Sequence, residues 1–579
     1  MTKQAAATRE PVAFFGRMLR PFSLAHPLWI SLIASALIAC GGDSNDVPGL
    51  GGGGAAGVGG VGGVGGVGEF PGTPGPFALA YLAEQERPNF QDLFVGRTNG
   101  VDNRKVNEDL EVGRVLAFEW NSDGTRIAYL VDDDRDFIPG CPNCVQELFT
   151  SRPDGSDSRR VNGELVDGGR VESFRWSPDG TRIAYRARQD AADTAELYTS
   201  NARGEENRKV SGVLVSGDQV SDYQWSPDGS RLGYLVYRFA DDVTDVYSNL
   251  PDGEDNRRVS PLPNGRRARS FRWSPDSSRI AYVADQDTDV LVELFSSAAD
   301  GTDNHKVNEP LPGLGRGLRV TAYAWSPDSS LLAYQADQNT AGVQELFTTA
   351  PDGSNNQAVN PALAPGQGVS VFAWSPEELR LAYLANQESV SLRELYTAAS
   401  DGSENQKVNG ALADGGFGFV SSFEWSPDGA LIAYQADQDS AFTSELYTSQ
   451  PNGTNNLKVN GALQRPSGGV GTYAWSPDST RIAYRANQDS SDLFELYTSS
   501  SDGTDNRKVN GPLLEDGSVE TFKWSPDSDR VAYRASQDNA DVFEIYSSVW
   551  DGSENQRANH DLPASGTTST FAWSPVPVP

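Results

Sequence analysis

One phrase returns ten times along this chain at a period near 50 residues, and everything from Phe77 onward is made of it. A complete copy reads FEWSPDGALIAYQADQDSAFTSELYTSQPNGTNNLKVN (423–460). Four landmarks mark each copy: an aromatic-x-Trp, an Ala/Gly-Tyr pair, an acid before an apolar–aromatic pair, and an Asn or Ser that closes a KVN-like segment. The tryptophans run from Trp120 to Trp573, the tyrosines from Tyr81 to Tyr533, and the acids from Asp92 to Glu544, ten of each. A repeated unit of this size cannot bury its own apolar face, so it must stack against the next copy, and that requirement governs the fold.

Each landmark reads as a short strand. FEW and LIAY alternate large side chains with a period of two, ELYT is a third strand and LKVN a fourth. SPDG and PNGTNN between them are tight turns, with Pro fixing φ and Gly or Asn accepting φ > 0. Four antiparallel strands in about 50 residues predict a β-propeller blade. The residues W-S-P-D-G, I-A-Y and E-L-Y resemble the WD40-like repeats of TolB-type propellers over residues 77–579. The resemblance implies an all-β fold and leaves function open, because this fold hosts many functions. TolB-type proteins also carry an α/β domain before the propeller, and residues 41–76 are too short and too Gly-rich to be one, which argues against a Tol–Pal role.

The two ends of the repeat region explain each other. Residues 571–575 (FAWSP) supply a first strand and no more, whereas FALAYLAEQ (77–85) is a second strand without a first. They predict one blade shared between the N- and C-terminal strands, closing a single ring of about ten blades and removing the open sheet edges.

Length variation is confined to one rim. Trp to Tyr is nine residues in every uninterrupted copy, and acid to closing Asn/Ser is fifteen in all ten. Tyr to acid is eleven except for eighteen between Tyr129 and Glu147, and closing Asn/Ser to Trp varies from thirteen to seventeen. The variable spans are the second-to-third-strand loops and the blade-to-blade loops, which share the rim called the top here. Specificity is usually written in such loops on a rigid scaffold. The long loop holds Asp132, Asp133, Asp134, Asp136 and Phe137, taken as binding candidates, and Cys141 and Cys144, which in an oxidising compartment are expected as a disulfide. A CxxC zinc half-site and simple loop decoration are the competing readings. Gln recurs at one offset in eight copies (Gln85, Gln189, Gln286, Gln338, Gln387, Gln438, Gln488 and Gln537), with acids around it. Ca²⁺ is one reading, since hard cations take carboxylate and amide oxygens; satisfaction of loop backbone is the other, and no EF-hand spacing is present. No cofactor is expected beyond that Ca²⁺ reading.

The N-terminal region is targeting sequence and tether. Arg17 and Arg20 precede the apolar run PLWISLIASALIA (27–39), too short to span a bilayer stably, and LIAC (37–40) ends it. This resembles the lipobox of bacterial lipoproteins, implying cleavage before Cys40 and lipidation of it; an ordinary signal peptide is the alternative, and Met18 is a second possible start. Gly41 in place of Asp lacks the inner-membrane retention signal of enterobacterial lipoproteins and points to the outer membrane. The domains are therefore 1–39 signal peptide, 40–76 lipidated Cys and Gly-rich tether, and 77–579 propeller. Residues 41–76 have a root-mean-square reach of roughly 30–35 Å.

The formal charge of −32 disfavours nucleic acid and anionic membrane surfaces, leaving the lipid anchor as the only membrane contact. Outside the leader only His305 and His560 remain, and neither is placed for a Ser-His-Asp set. No His/Cys zinc set and no phosphate-binding Gly loop occurs. The sequence therefore points to a monomeric, non-catalytic scaffold in the cell envelope binding a protein, peptide or glycan on its top face. A hydrolase or lyase acting on an extracellular polymer is the alternative, as is a TolB-like part of an envelope complex.

Overall fold

The landmarks become strands for reasons visible in their partners. The computed structural model describes residues 77–110, 113–132, 145–288, 291–312, 319–413, 418–464, 469–563 and 565–577. Among these residues there are ten four-stranded antiparallel sheets and no helix. Blade five is typical: strand a is Val320–Trp325, strand b Leu332–Ala336, strand c Glu345–Thr349 and strand d Gln357–Ala358. We number the blades from the sheet that begins at Arg114, so that blade ten holds both ends of the repeat region.

Blade ten is the predicted shared blade. Its strand a is Thr568–Trp573, and its strands b, c and d are Ala78–Ala83, Asp92–Arg97 and Arg104–Lys105. Leu79 pairs with Trp573 and Tyr81 with Phe571. Ala78 N donates to Ser574 Oγ at 3.0 Å, and Ser574 N donates to Ala78 O at 2.9 Å. The core divides into ten clusters, each packing one blade against its neighbour. One joins blade ten to blade one through Ala80, Val95, Trp120 and Tyr129, and another joins blade nine to blade ten through Ile545, Tyr81 and Phe571. Ten interfaces for ten blades make a closed ring, as the sequence predicts.

Each landmark side chain has a structural task. The strand-b tyrosine stacks on the aromatic of strand c in all ten blades, as in Tyr334 on Phe347 with ring centroids 5.4 Å apart. The closing Asn or Ser accepts a hydrogen bond from a strand-c backbone N–H fourteen residues earlier, as Asn360 Oδ1 does from Leu346 N at 2.7 Å. Trp Nε1 reaches back to the preceding blade: Trp176 donates to Glu119 O at 3.0 Å and Trp573 to Lys523 O at 3.1 Å. These tryptophans and the Ser173–Tyr223 hydroxyl contact join strands a of successive blades, which places strand a innermost, whereas strand d is two residues long and largely exposed. The c–d turns lean on the previous blade's strand d. Gly301 has φ +81, and a Cβ there would lie 2.7 Å from Arg258 O, so glycine is required for this close approach.

Candidate functional site

The rim carrying the a–b and c–d turns repeats from blade to blade, and its turns are held by their own side chains. Ser326 Oγ, for example, donates to Asp328 Oδ1 at 2.7 Å and accepts from Leu331 N. In four places the left-handed serine of an SPDS turn also accepts the Asp backbone N–H of the preceding blade's turn, as Ser329 does from Asp276. The regularity breaks at the seam, where no a–b turn joins Trp573 to Ala78 in blade ten.

On the opposite rim the recurring Gln and acid residues are engaged in structure. In all eight copies the Gln lies beside the strand-b tyrosine and an Asn of the c–d turn. Tyr383 Oη donates to Gln387 Oε1 at 3.0 Å, and Gln387 Nε2 donates to Asn405 Oδ1 at 3.1 Å. In six of these copies the acid after the Gln is held by the strand-d lysine, which also neutralises the buried acid of strand c. Lys407 lies 3.1 Å from both Glu388 and Glu394, and Lys209 lies 3.0 Å from both Asp190 and Glu196. These oxygens therefore already have protein partners. Among the described residues no group of three or more His, Cys, Asp or Glu is arranged to hold a metal.

Of the long-loop candidates, Asp132 ends strand b of blade one, opposite Arg114 and Gln146 in the ladder. Asp133, Asp134, Asp136, Phe137, Cys141 and Cys144 lie outside the described residues, as does Cys40. His305 Nε2 contacts Asp303 Oδ1 at 2.6 Å on an outer strand, and His560 lies at the seam, where its ring meets Gly100 O at 3.2 Å.

Sequence reasoning missed a set of arginines on the top rim of blades six, eight and nine. Arg393 sits just before the strand-c acid of blade six; its guanidinium lies 5.6 Å from the ring centre of Phe419, and its Nε donates to Val420 O at 3.0 Å. Arg485, on strand b of blade eight, lies 5.7 Å from Phe494 and donates to Glu520 O at 2.7 Å. Arg534, on blade nine, lies 4.5 Å from Phe543, donates to Thr568 O at 2.8 Å and pairs with the Glu520 carboxylate. Each thus spans to the strand a that opens the next blade. Burial pushes all three guanidinium pKa values down from the ordinary value. Arginine stays charged through such a shift. Arg186, the equivalent on blade two, has the Glu172 carboxylate at 3.0 Å, whereas among the described residues Arg393 and Arg485 have no carboxylate partner.

A cavity of about 650 Å³ opens beside Arg393. One wall is the hairpin Arg380–Ser389 and Leu392–Ala399, which is longer than its counterparts. Asn386 fixes the facing loop by accepting from Gly368 N at 2.6 Å and donating to Gly366 O at 3.1 Å. Below the rim, the residue before each Trp faces the central tunnel. Among these, Glu119, Arg175, Arg272, Glu424 and Lys523 are exposed. Desolvation pushes the Glu119 and Glu424 carboxyls up to about 7, with Arg175 opposing the shift at Glu119. Both side chains are solvent-exposed, which weakens that push relative to full burial. Lys523 donates to Phe571 O at 2.8 Å, and desolvation by the surrounding wall pushes its pKa down.

Residues 214–394 match the family described as the lipoprotein LpqB beta-propeller domain. The match runs from the start of blade three into strand c of blade six, and it agrees with the propeller and lipoprotein readings of the sequence. No curated protein matches the chain. Among solved structures, a eukaryotic initiation factor is 11% identical with a TM-score of 0.45, covering 87% of this chain and 99% of that one. A prolyl endopeptidase is 15% identical with a TM-score of 0.35, covering 69% of this chain and 61% of that one. A TolB protein from Agrobacterium tumefaciens is 17% identical with a TM-score of 0.26, covering 43% of this chain and 83% of that one. Likeness at these scores transfers no activity to this chain.

Proposed function

We propose that this chain is a lipid-anchored β-propeller of the cell envelope that acts as a non-catalytic scaffold, binding a protein, peptide or glycan on its loop-variable rim. The observation that carries this reading is the contrast between the rims. One repeats the same turn structure from blade to blade at constant length, and the other holds all the length variation together with arginines that have no acid partner among the described residues. The lipobox-like LIAC, the Gly-rich tether and the lipoprotein name of the matching family support the anchor, and Gly41 supports the outer membrane. In this reading a Cys141–Cys144 disulfide stiffens the long acidic loop of blade one and reduces the ordering cost of binding.

The test is affinity capture from envelope extracts with the full chain carrying Cys40→Ser, which is soluble if the anchor is lipid. A partner should be retained, and cutting back variable-rim loops should release it. Retention that survives changes to every variable-rim loop would overturn the assignment of the binding face.

A further inference from the structure

We propose that the cavity beside Arg393 binds the C-terminal carboxylate of a polypeptide whose last residue is apolar. The inference rests on the scaffold reading above and names the partner chemistry for one part of that rim.

Arg393 is half-buried and carries the only charge among the described residues of the cavity lining, although the chain as a whole stands at −32. Its Nε is fixed on Val420 O and its face lies over Phe419, so the plane of the guanidinium is set, and among the described residues the edge bearing both Nη atoms has no acceptor. Every lysine or arginine in the Gln-acid pattern of this rim has a carboxylate within 3.4 Å, as Lys508 has in Asp489. A partly desolvated cation without a counter-charge is a costly arrangement, and a ligand anion offsets that cost. A preset guanidinium edge matches a carboxylate through two parallel N–H···O bonds.

The rest of the lining decides what bears that carboxylate. Val390 is 64% exposed and Phe419 is 39% exposed, giving an apolar border beside the cation. Sugar rings stack on open aromatic faces, but the Phe419 ring already carries the Arg393 guanidinium on one face. An apolar side chain against Val390, with its carboxylate on Arg393, uses both features. Glycine at 366 and 368 leaves room for a peptide main chain, and Gln344, whose Oε1 accepts from Thr321 Oγ1 at 2.9 Å, turns its amide N–H groups to it, while Gln367 is held by Ala364 N and Gln387 O.

The test uses the full chain carrying Cys40→Ser and a fluorescein-labelled hexapeptide ending in Val-Leu, as free acid and as C-terminal amide, followed by fluorescence anisotropy. The free acid should bind and the amide should bind at least about tenfold more weakly, the loss expected for one charge-assisted pair. Arg393→Gln should lose the same factor and Arg393→Lys should lose part of it, with melting temperatures within about 2 °C of the parent because the side chain is half-exposed. Equal binding of acid and amide, binding unaffected by Arg393→Gln, or displacement of the peptide by glucuronate as effectively as by free Ac-Val-Leu would each overturn the proposal. Envelope partners still captured while the peptide fails would overturn this site alone; loss of rim-dependent capture would overturn the scaffold reading beneath it.

Discussion

If blade ten is a blade like any other, cutting its C-terminal strand must cost what opening any interface costs. Trp573 is 9% exposed and donates to Lys523 O at 3.1 Å; Trp325, in mid-ring, is 8% exposed and donates to Arg272 O at 3.3 Å. Trp573→Ala and Trp325→Ala should therefore destabilise alike, by about 3–5 kcal/mol each. With about 2.1 cal/mol/K of unfolding entropy per residue over roughly 500 residues, 1 kcal/mol moves the melting point by about 1 °C, so each variant should melt about 3–5 °C lower. Deleting residues 571–579 removes Phe571 and Trp573 together and bares strand b of blade ten, whose Leu79, Ala80 and Tyr81 are fully buried. The loss should exceed that of either substitution, and the bared edge should drive self-association. Calorimetry and light scattering read both effects, and a synthetic peptide of residues 565–577 should reverse them by supplying the missing strand. A deletion variant melting within about 2 °C of the parent, or a Trp573→Ala cost far below that of Trp325→Ala, would refute closure by the shared blade.

Three further outcomes are expected. Cys40→Ser should move the protein from the membrane to the soluble fraction on cell fractionation, and continued sedimentation with membranes would contradict lipidation. Replacing Cys141 and Cys144 by Ser should leave the melting point nearly unchanged, since so small a loop adds little entropy, while weakening partner capture; two free thiols in the unfolded, unreduced chain would disprove the disulfide. Glu424, with its carboxyl pushed from 4.5 to about 7, folds more favourably when protonated, so its contribution is intact below about pH 4.5 and is lost as pH rises through 7. Glu424→Gln should therefore raise the melting point at pH 8 and not at pH 4, by less than about 1 kcal/mol because tunnel water screens the charge; a variant equally stable to the parent at pH 8 would show the carboxyl to be fully solvated.

Most of the architecture was legible because each landmark acts locally or at a fixed offset. The Tyr–aromatic stack, the closing Asn and the SPDG turn all fall within one copy, and ten copies reveal what a single copy would leave ambiguous. The top-rim arginines were not legible, because their positions alternate with apolar residues: Arg485 and Arg534 occupy the place taken by Leu82, Leu130, Leu235 and Val283 elsewhere. What those arginines do depends on the next blade, as when Arg485 reaches Glu520 O, and that contact joins residues 35 apart across an interface. The recurrent Gln was visible but its role was not, since its partner Asn lies eighteen residues further on, on a turn of strand d.

The tunnel shows how the ring separates what must be constant from what is free to change. Sheets packed about 10 Å apart, ten to a turn, need a circumference of about 100 Å, and allowing for side chains this leaves an opening of about 20 Å. No side chain has to fill such a space. At the position before each Trp the backbone carbonyl accepts the next tryptophan's Nε1 in eight of the ten interfaces, while the side chain is Glu, Arg, Gln, Ala or Lys. The backbone carries the packing and the side chain is released from it. The same separation holds at the top rim, where Arg393, Arg485 and Arg534 anchor to backbone carbonyls and so tolerate any side chain on the strand they reach. A scaffold of this kind can change the chemistry of its wall and its rim without changing the interfaces that close it.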